Sequence, residues 1–447
     1  MIASFLPEFG GAIWTLLAFV VALSVIVAIH EYGHYIVGRW CGIKADVFSV
    51  GFGPVIWSKM DRHGTRWQLA ALPLGGYVKF RGDADATSVG ADVEMLSLSP
   101  EERAQTMTGA ALWRRAATVA AGPAFNFILS ILIFAGFVLV LGRAVDRPVV
   151  GELVALPPGI ETLQPGDEIL AIGDVPVNTI GDLANVAAEQ QDGATLPYEI
   201  RRDGVEIAVE AAPPMPARAA QVQPRSAAWD VGIRGGDVIV AMDGAPVGSF
   251  QDLQAATRAA DGAPMVVEVW RPDGAGGETL DFTVTPRSMA LPLADGGFET
   301  RYLIGISGGL FFEPVTERAG PLEALGYGVS QTWFILTSSI SALGHIVTGQ
   351  ISTCNLSGPI GIAETSGAAA SQGFETFVWF IAGLSAAVGM LNLFPIPVLD
   401  GGHLVFHAYE AVRGRPPSDG AVRVLMTAGI AMMGALMVFA LWNDIFC

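Results

Sequence analysis

Residues 11–34 read GAIWTLLAFVVALSVIVAIHEYGH, an uncharged Leu-, Val-, Ala- and Ile-rich run that closes on His30, Glu31, Tyr32, Gly33 and His34. The uncharged stretch 9–29 is long enough for a helix to cross a hydrocarbon core of about 30 Å. On a helix, residues four apart share a face, so both imidazoles reach one Zn²⁺ while the adjacent carboxylate can act on a metal-bound water. A charged residue at mid-bilayer costs about 2.5–3.5 kcal/mol on insertion scales, so ionisable groups closing a span are functional candidates by position as well as by spacing. A secretory signal is the alternative for this stretch, but no Lys or Arg precedes the apolar run and no small-residue cleavage site follows, so it is read as a permanent span.

The 447 residues are 51% hydrophobic with a mean hydropathy of +0.48, too apolar for an ordinary soluble chain. Three further uncharged stretches, 116–142, 376–399 and 424–443, bring the expected spans to four. Between the first two, the loop 39–115 carries Lys44, Lys59, Arg62, Arg66, Lys79, Arg81 and Arg103, which assigns it to the cytoplasmic side; Arg413, Arg415 and Arg423 do the same for 403–423. Both termini, with Glu8 and Asp444 and no basic residue, then face outward, as an even number of spans requires.

The net charge of −18 is concentrated in residues 143–323, which hold 27 acidic against 12 basic side chains. This excludes nucleic acid as a partner and indicates a solvated acidic domain on the outer side. Within it LQPGDEILAIGDVPVNTIGDL (163–183) repeats as IRGGDVIVAMDGAPVGSFQDL (233–253) at an offset of 70. Each copy has a Gly-Asp turn, a short apolar strand, a Gly turn and an Asp-Leu helix start, so 143–215 and 216–290 are read as two mixed α/β modules resembling tandem PDZ domains. Neither copy has a clean Gly-Leu-Gly-Phe carboxylate loop, and peptide capture and a purely structural role stay open. The remaining 291–375 is expected to be a linker with an interfacial amphipathic helix at 325–346. Cys41, Cys354 and Cys447 match no zinc or disulfide spacing.

A catalytic zinc takes three protein ligands and keeps an open position. NLFPIPVLDGGH closes the third span, expected over 376–402, and offers Asp400 as third ligand, with a turn role before Gly401 and Gly402 as the alternative and His403 in reserve. His63, His345 and His407 are expected to be unrelated. A fifth span at 325–346 would separate Asp400 from the histidines by about a bilayer thickness, ~30 Å, and is rejected on that ground.

Taken together, HEYGH in a first span, GPAFN (122–126) in the second, the paired modules, SGPIGIA (357–363) and NLFPIPVLDGG (392–402) resemble the bacterial site-two proteases of the regulator-of-sigma-E type, over nearly the whole chain. The resemblance implies an intramembrane zinc metallopeptidase in which His30, His34 and Asp400 bind the metal, Glu31 is the general base and Asn392 holds the substrate backbone; a helix-capping role is the alternative for Asn392. It further implies an inner-membrane protein acting in regulated intramembrane proteolysis. The implied substrates are a single-span anti-sigma factor trimmed first by an upstream site-one-type protease, and remnant signal peptides, with the outer modules as a size filter. The expected architecture is therefore a polytopic α-helical membrane protein: four transmembrane helices (1–38, 116–142, 376–402, 424–447), two inserted PDZ-like modules and a membrane-associated β-hairpin region within 39–115.

A transmembrane substrate must be unwound before attack, and an unpaired backbone group in lipid costs several kcal/mol. One edge strand from GFGP (51–54) or RWQLAALPLGGYVKF (66–80) is expected to pair with it; a hairpin that merely shields the zinc is the alternative. Gly33, Pro395, Pro397 and the Gly401 pair are expected points of bending. The competing functions are a non-catalytic PDZ membrane scaffold and a zinc transporter.

Overall fold

With its one proline, Pro7, in the first turn, where no helical N–H is lost, and few polar residues after it, the chain's start forms one helix, Leu6–Trp40. At 1.5 Å per residue it is on the order of 50 Å long, more than a bilayer core requires. The computed structural model describes residues 6–82, 99–160, 163–189, 195–274, 276–292 and 298–446. Part of the expected cytoplasmic loop, 83–98, and Cys447 therefore lie outside the described residues. Among the described residues four helices are long and apolar enough to cross a membrane: Gly11–Trp40 within the first helix, Leu112–Leu141, Phe374–Asn392 and Asp419–Phe446. Outward-facing Leu16, Leu17, Leu132, Trp379 and Leu436 give them the apolar exterior of a multi-pass membrane protein.

Two compact units result, one from 1–136 with 321–447 and one from 137–320. In the first, the second span packs on the third through Phe134 against Trp379, ring centroids 4.6 Å apart, and through Ser385 Oγ donating to Asn126 O at 3.0 Å. The third helix ends at Asn392, not at 402 as the sequence suggested. Pro395 and Pro397 have no N–H to continue its ladder, and Asp400 opens a separate helix, Asp400–Arg413, across most of the expected loop 403–423. Arg115 grips Glu410 through two hydrogen bonds of 3.1 and 2.6 Å, fastening that helix to the start of the second span. The expected helix at 325–346 is Pro321–Val347; it buries Ala324, Gly328 and Thr332 and bonds Thr332 to Ser130 at 3.1 Å, and it is not among the four crossing candidates. Cys354 is disulfide-bonded, against the reading from spacing. Motif spacing tests local patterns, whereas a disulfide needs only two Cα atoms about 4.4–6.8 Å apart.

Residues 45–80 form a bent antiparallel pair, Ala45–Met60 with Arg66–Phe80. Residues 45–50 pair with 66–69 on one side (Phe48↔Trp67) and with 76–80 on the other (Phe48↔Val78), while 66–70 also pairs with 55–60 (Trp57↔Leu69). The sheet thus has four short strands in the order 76–80, 45–50, 66–70, 55–60. The segment from Gln68 to Ala70 is interior, and 76–80 and 55–60 are the edges. The turn that folds this sheet is tied to the first helix by Asp61, whose carboxylate accepts from Tyr35 Oη at 2.9 Å, Trp67 Nε1 at 3.1 Å and the amides of His63 and Thr65 at 2.7 and 2.9 Å.

In the second unit, strands Glu168–Ile172, Leu196–Arg202 and Val205–Ala211 recur as Val238–Met242, Met265–Arg271 and Glu278–Val284, in four-stranded sheets of the same order. The repeat extends to single bonds. Buried Asp167 and Asp237 are each held by two bonds of 2.7–2.8 Å from Arg202 and Arg271. Asp182 and Asp252 each accept from the two amides at the start of helices Ile180–Glu189 and Phe250–Ala259. The expected boundaries at 215 and 290 do not hold. Phe312–Pro314 pairs with Val150–Leu153 and buries Phe311 and Phe312 in the first core, while Ile306–Ser307 pairs with Gln221–Val222 and Ile304 lies in the second. The second repeat is nested inside the first.

Burial alone would raise the Asp61 pKa, but hydrogen bonds from Thr65, Trp67, Tyr35 and His63 outweigh it and hold it at about 2. A carboxyl held below its usual value near 4 stabilises the fold above that pH, and the contribution is lost as pH falls through about 2. Asp61→Ala is expected to destabilise the sheet by about 1–3 kcal/mol at pH 7, seen as faster hydrogen exchange at the His63 and Thr65 amides.

Candidate metal centre

His30 and His34 project from one face of the first helix near its end, their rings edge-on with centroids 4.8 Å apart. Their Nε2 atoms are 3.2 Å apart, and Asp400 Oδ2 lies 3.1 Å from the first and 3.5 Å from the second. Among the described residues these three form a group able to hold a metal, with ligand atoms within 4.8 Å of one another. Asp400 Oδ2 is buried and makes no hydrogen bond of acceptable geometry despite those close contacts. His34 Nδ1 donates to Thr118 O at 2.9 Å, which leaves its Nε2 as a lone pair facing the group. His34 Nε2 and Asp400 Oδ2 are acceptors, and with His30 Nε2 they make the kind of two-nitrogen, one-oxygen donor set that can hold a cation. Zinc fits their spacing: with bonds of about 2.0–2.1 Å, neighbouring ligand atoms of a tetrahedral site stand roughly 3.3 Å apart.

The second span makes this convergence possible. A Cβ on Gly33 would meet Ala121 O at 2.5 Å, so the first two spans touch backbone to backbone there. Gly33 is therefore a packing residue within a helix that continues through it to Trp40. A Cβ on Gly122 would lie 2.3 Å from His34 Nε2 and 2.8 Å from His30 Nε2, so only glycine leaves room for the imidazoles. Gly401 and Gly402 serve the third ligand similarly: they pack against the carbonyls of Leu393 and Ile396, which folds the chain back after the prolines and delivers Asp400.

Glu31 lines the same cavity of about 610 Å³, beside Gly76, Tyr77 and Val78 of the edge strand. Asn392 also lines it, and its Nδ2 donates to Val388 O at 3.1 Å within its own helix. His403 and His407 line it too but stand outside the ligand group. His407 was not expected here; burial first, and nearby Arg115, push its pKa down to about 4. His63 contacts Arg39 and His345 contacts Gln350, away from the site. Sequence reasoning named the ligand candidates and missed Thr118, Gly122 and Asn126 as their neighbours; GPAFN was visible only as a pattern.

A membrane protein with a two-His, one-Asp metal centre and a glutamate in the same cavity has the make-up of a membrane zinc metalloprotease. Residues 18–436 match the pattern of peptidase family M50. A protein of Agrobacterium fabrum named as a zinc metalloprotease is 38% identical over 436 residues, covering 96% of this chain and 94% of the relative. One of the same name from Rhizobium meliloti is 37% identical, covering 97% and 96%. The regulator of sigma E protease of Salmonella typhimurium is 32% identical over 462 residues, covering 97% and 98%. The chain belongs to peptidase family M50, whose members are zinc-dependent.

Gly122→Ala is expected to push both imidazoles aside and weaken zinc binding at least 100-fold, whereas Gly136→Ala, with nothing within 4 Å of its added methyl, leaves it unchanged. Titration of the purified proteins with a competing zinc chelator reads the difference.

Proposed function

We propose that this metalloprotease hydrolyses peptide bonds within transmembrane segments, at a zinc held by His30, His34 and Asp400. The observation that carries the reading is the triangle of ligand atoms, with edges of 3.1–3.5 Å, sharing a cavity with Glu31 at the end of a membrane helix. When bound there, zinc supplies a Lewis acid that polarises the scissile carbonyl and acidifies water. Glu31 takes the proton from the attacking water and returns it to the leaving amine. No side chain forms a covalent bond to the substrate. Asn392, on the cavity wall, contacts the substrate backbone.

An unwound substrate needs hydrogen-bond partners for its freed backbone. The edge strand 76–80 is the proposed partner, because Gly76, Tyr77 and Val78 line the cavity and, among the described residues, no strand pairs with their outer side. The interior segment around Gln68 is unsuited to this role. The hairpin region is then membrane-associated on the cytoplasmic side, with the zinc site toward the cytoplasm.

The two nested repeats are proposed to be PDZ-like modules that face the periplasm with both termini and restrict access by substrate size, in a protein of the bacterial inner membrane. The name of the relative called regulator of sigma E protease favours a sigma-factor regulator, an anti-sigma factor, as substrate; trimming by an upstream site-one-type protease and remnant signal peptides as a second class belong to the same proposal.

The test is cleavage of a short-ectodomain transmembrane substrate in detergent, with bound zinc measured alongside. Glu31→Gln should lose cleavage by 10³-fold or more and keep one zinc per chain, Asp400→Ala and His30→Ala should lose both, and His403→Ala should keep its zinc. Equal activity in all of them would refute the assignment. Edge pairing makes a separate forecast: one N-methylated amide next to the scissile bond should slow cleavage more than tenfold, while changing a neighbouring side chain has a smaller effect.

A further inference from the structure

Thr118, Gly122 and Asn126 fall four residues apart on the second span and so form one stripe against the two histidines. Thr118 holds His34 through its carbonyl, and Gly122 leaves room for both rings. Asn126 completes the stripe. It is fully buried, its amide nitrogen lies 3.2 Å from His30 Nδ1, and its Oδ1 has no hydrogen-bond partner.

The two orientations of this amide have different consequences. With Nδ2 toward the ring, Nδ1 is the acceptor and the proton of a neutral imidazole sits on Nε2, the atom that faces His34 and Asp400. That tautomer offers no lone pair to a metal. A half-turn about the last torsion exchanges Oδ1 and Nδ2 with almost no change of shape. Oδ1 then accepts from Nδ1–H, and nothing holds it in its other orientation, since it has no partner there. The ring's Nε2 lone pair is then free for the ligand group.

We propose that Asn126 is a positioning residue for the metal site: its side-chain oxygen holds His30 in the Nδ1–H tautomer, as the Thr118 carbonyl does for His34, so that both Nε2 lone pairs converge on the zinc. One helix face would thus set the tautomer of both histidine ligands, one through a main-chain oxygen and one through a side chain. The inference rests on the zinc-site reading above and extends it to a residue that touches neither substrate nor metal.

The experiment is zinc affinity of the full-length protein in detergent, by competition with a chromophoric chelator, for wild type, Asn126→Leu, Asn126→Asp, Ser385→Ala and His30→Ala. Asn126→Leu keeps the branched outline and removes the acceptor; loss of a ligand's outer partner typically weakens metal binding 10–100-fold, and that range is expected. Asn126→Asp keeps an acceptor at the same point and should bind zinc within a few-fold of wild type or more tightly. Ser385→Ala removes the hydroxyl that donates to the Asn126 carbonyl, disturbs only helix packing, and should leave affinity unchanged. Wild-type affinity in Asn126→Leu would overturn the proposal, and so would an Asn126→Asp protein that binds zinc ten times more weakly than wild type, a result that stands even if the leucine variant fails to fold. Zinc binding untouched by His30→Ala would remove the zinc-site reading itself and this inference with it.

Discussion

The constraint on which the rest depends is the approach of three ligand atoms to within about 3.5 Å from two helices at opposite ends of the sequence. Two imidazoles and a carboxylate beside an apolar core are expensive unless a cation holds them together, and their positions tolerate little error. Much of the first unit can be read as the means of meeting that demand. The backbone contact at Gly33 and Ala121 brings the second span against the first, Gly122 opens the space for the rings, and the Arg115–Glu410 pair holds the helix that Asp400 begins. The prolines after Asn392 stop the third span so that a new helix can start with Asp400, the proposed third ligand, at its N-terminus, where a carboxylate is also favoured by the helix dipole.

The sheet of residues 45–80 answers a second demand. An exposed strand edge is ordinarily a liability, open to unwanted pairing, yet here the edge at 76–80 sits on the wall of the cavity that contains Glu31. An edge in that place suits a chain that arrives extended, as the proposed substrate must after leaving its helix. Asp61 fixes the turn on which this sheet is folded to Tyr35, one residue beyond His34, so sheet and metal centre share an anchor on the first helix.

How much was legible follows from how local each signal is. HEYGH could be read because a spacing of four on one helix is decided by the helix alone, and Asp400 because it ends an apolar run beside paired glycines. Asn126 and Thr118 could not, since their roles exist only through contact between helices, and a carbonyl leaves no mark in sequence. Which half of Arg66–Phe80 forms the edge was not legible, because Ala45–Met60 and Arg66–Phe80 each bend midway, and alternation of side chains does not reveal which half of a bent strand is covered. Phe312–Pro314 and Ile306–Ser307 are too short to carry any periodicity, so the repeat was visible while its closing strands were not.

Those closing strands change what the repeat means. Two modules in series would fold independently, each complete before the next began. Here the first module lacks Phe311 and Phe312, two of its largest buried side chains, until the chain has passed through the whole of the second. Arg143–Ala144 then pairs with Thr316–Glu317, so the unit enters and leaves through neighbouring strands. A domain with adjacent ends can sit between two membrane helices without pulling them apart. Nesting therefore links the completeness of the second unit to the whole of its chain: a fault in the second core would also leave the first unclosed, and the two modules should behave as one cooperative body instead of two beads on a linker.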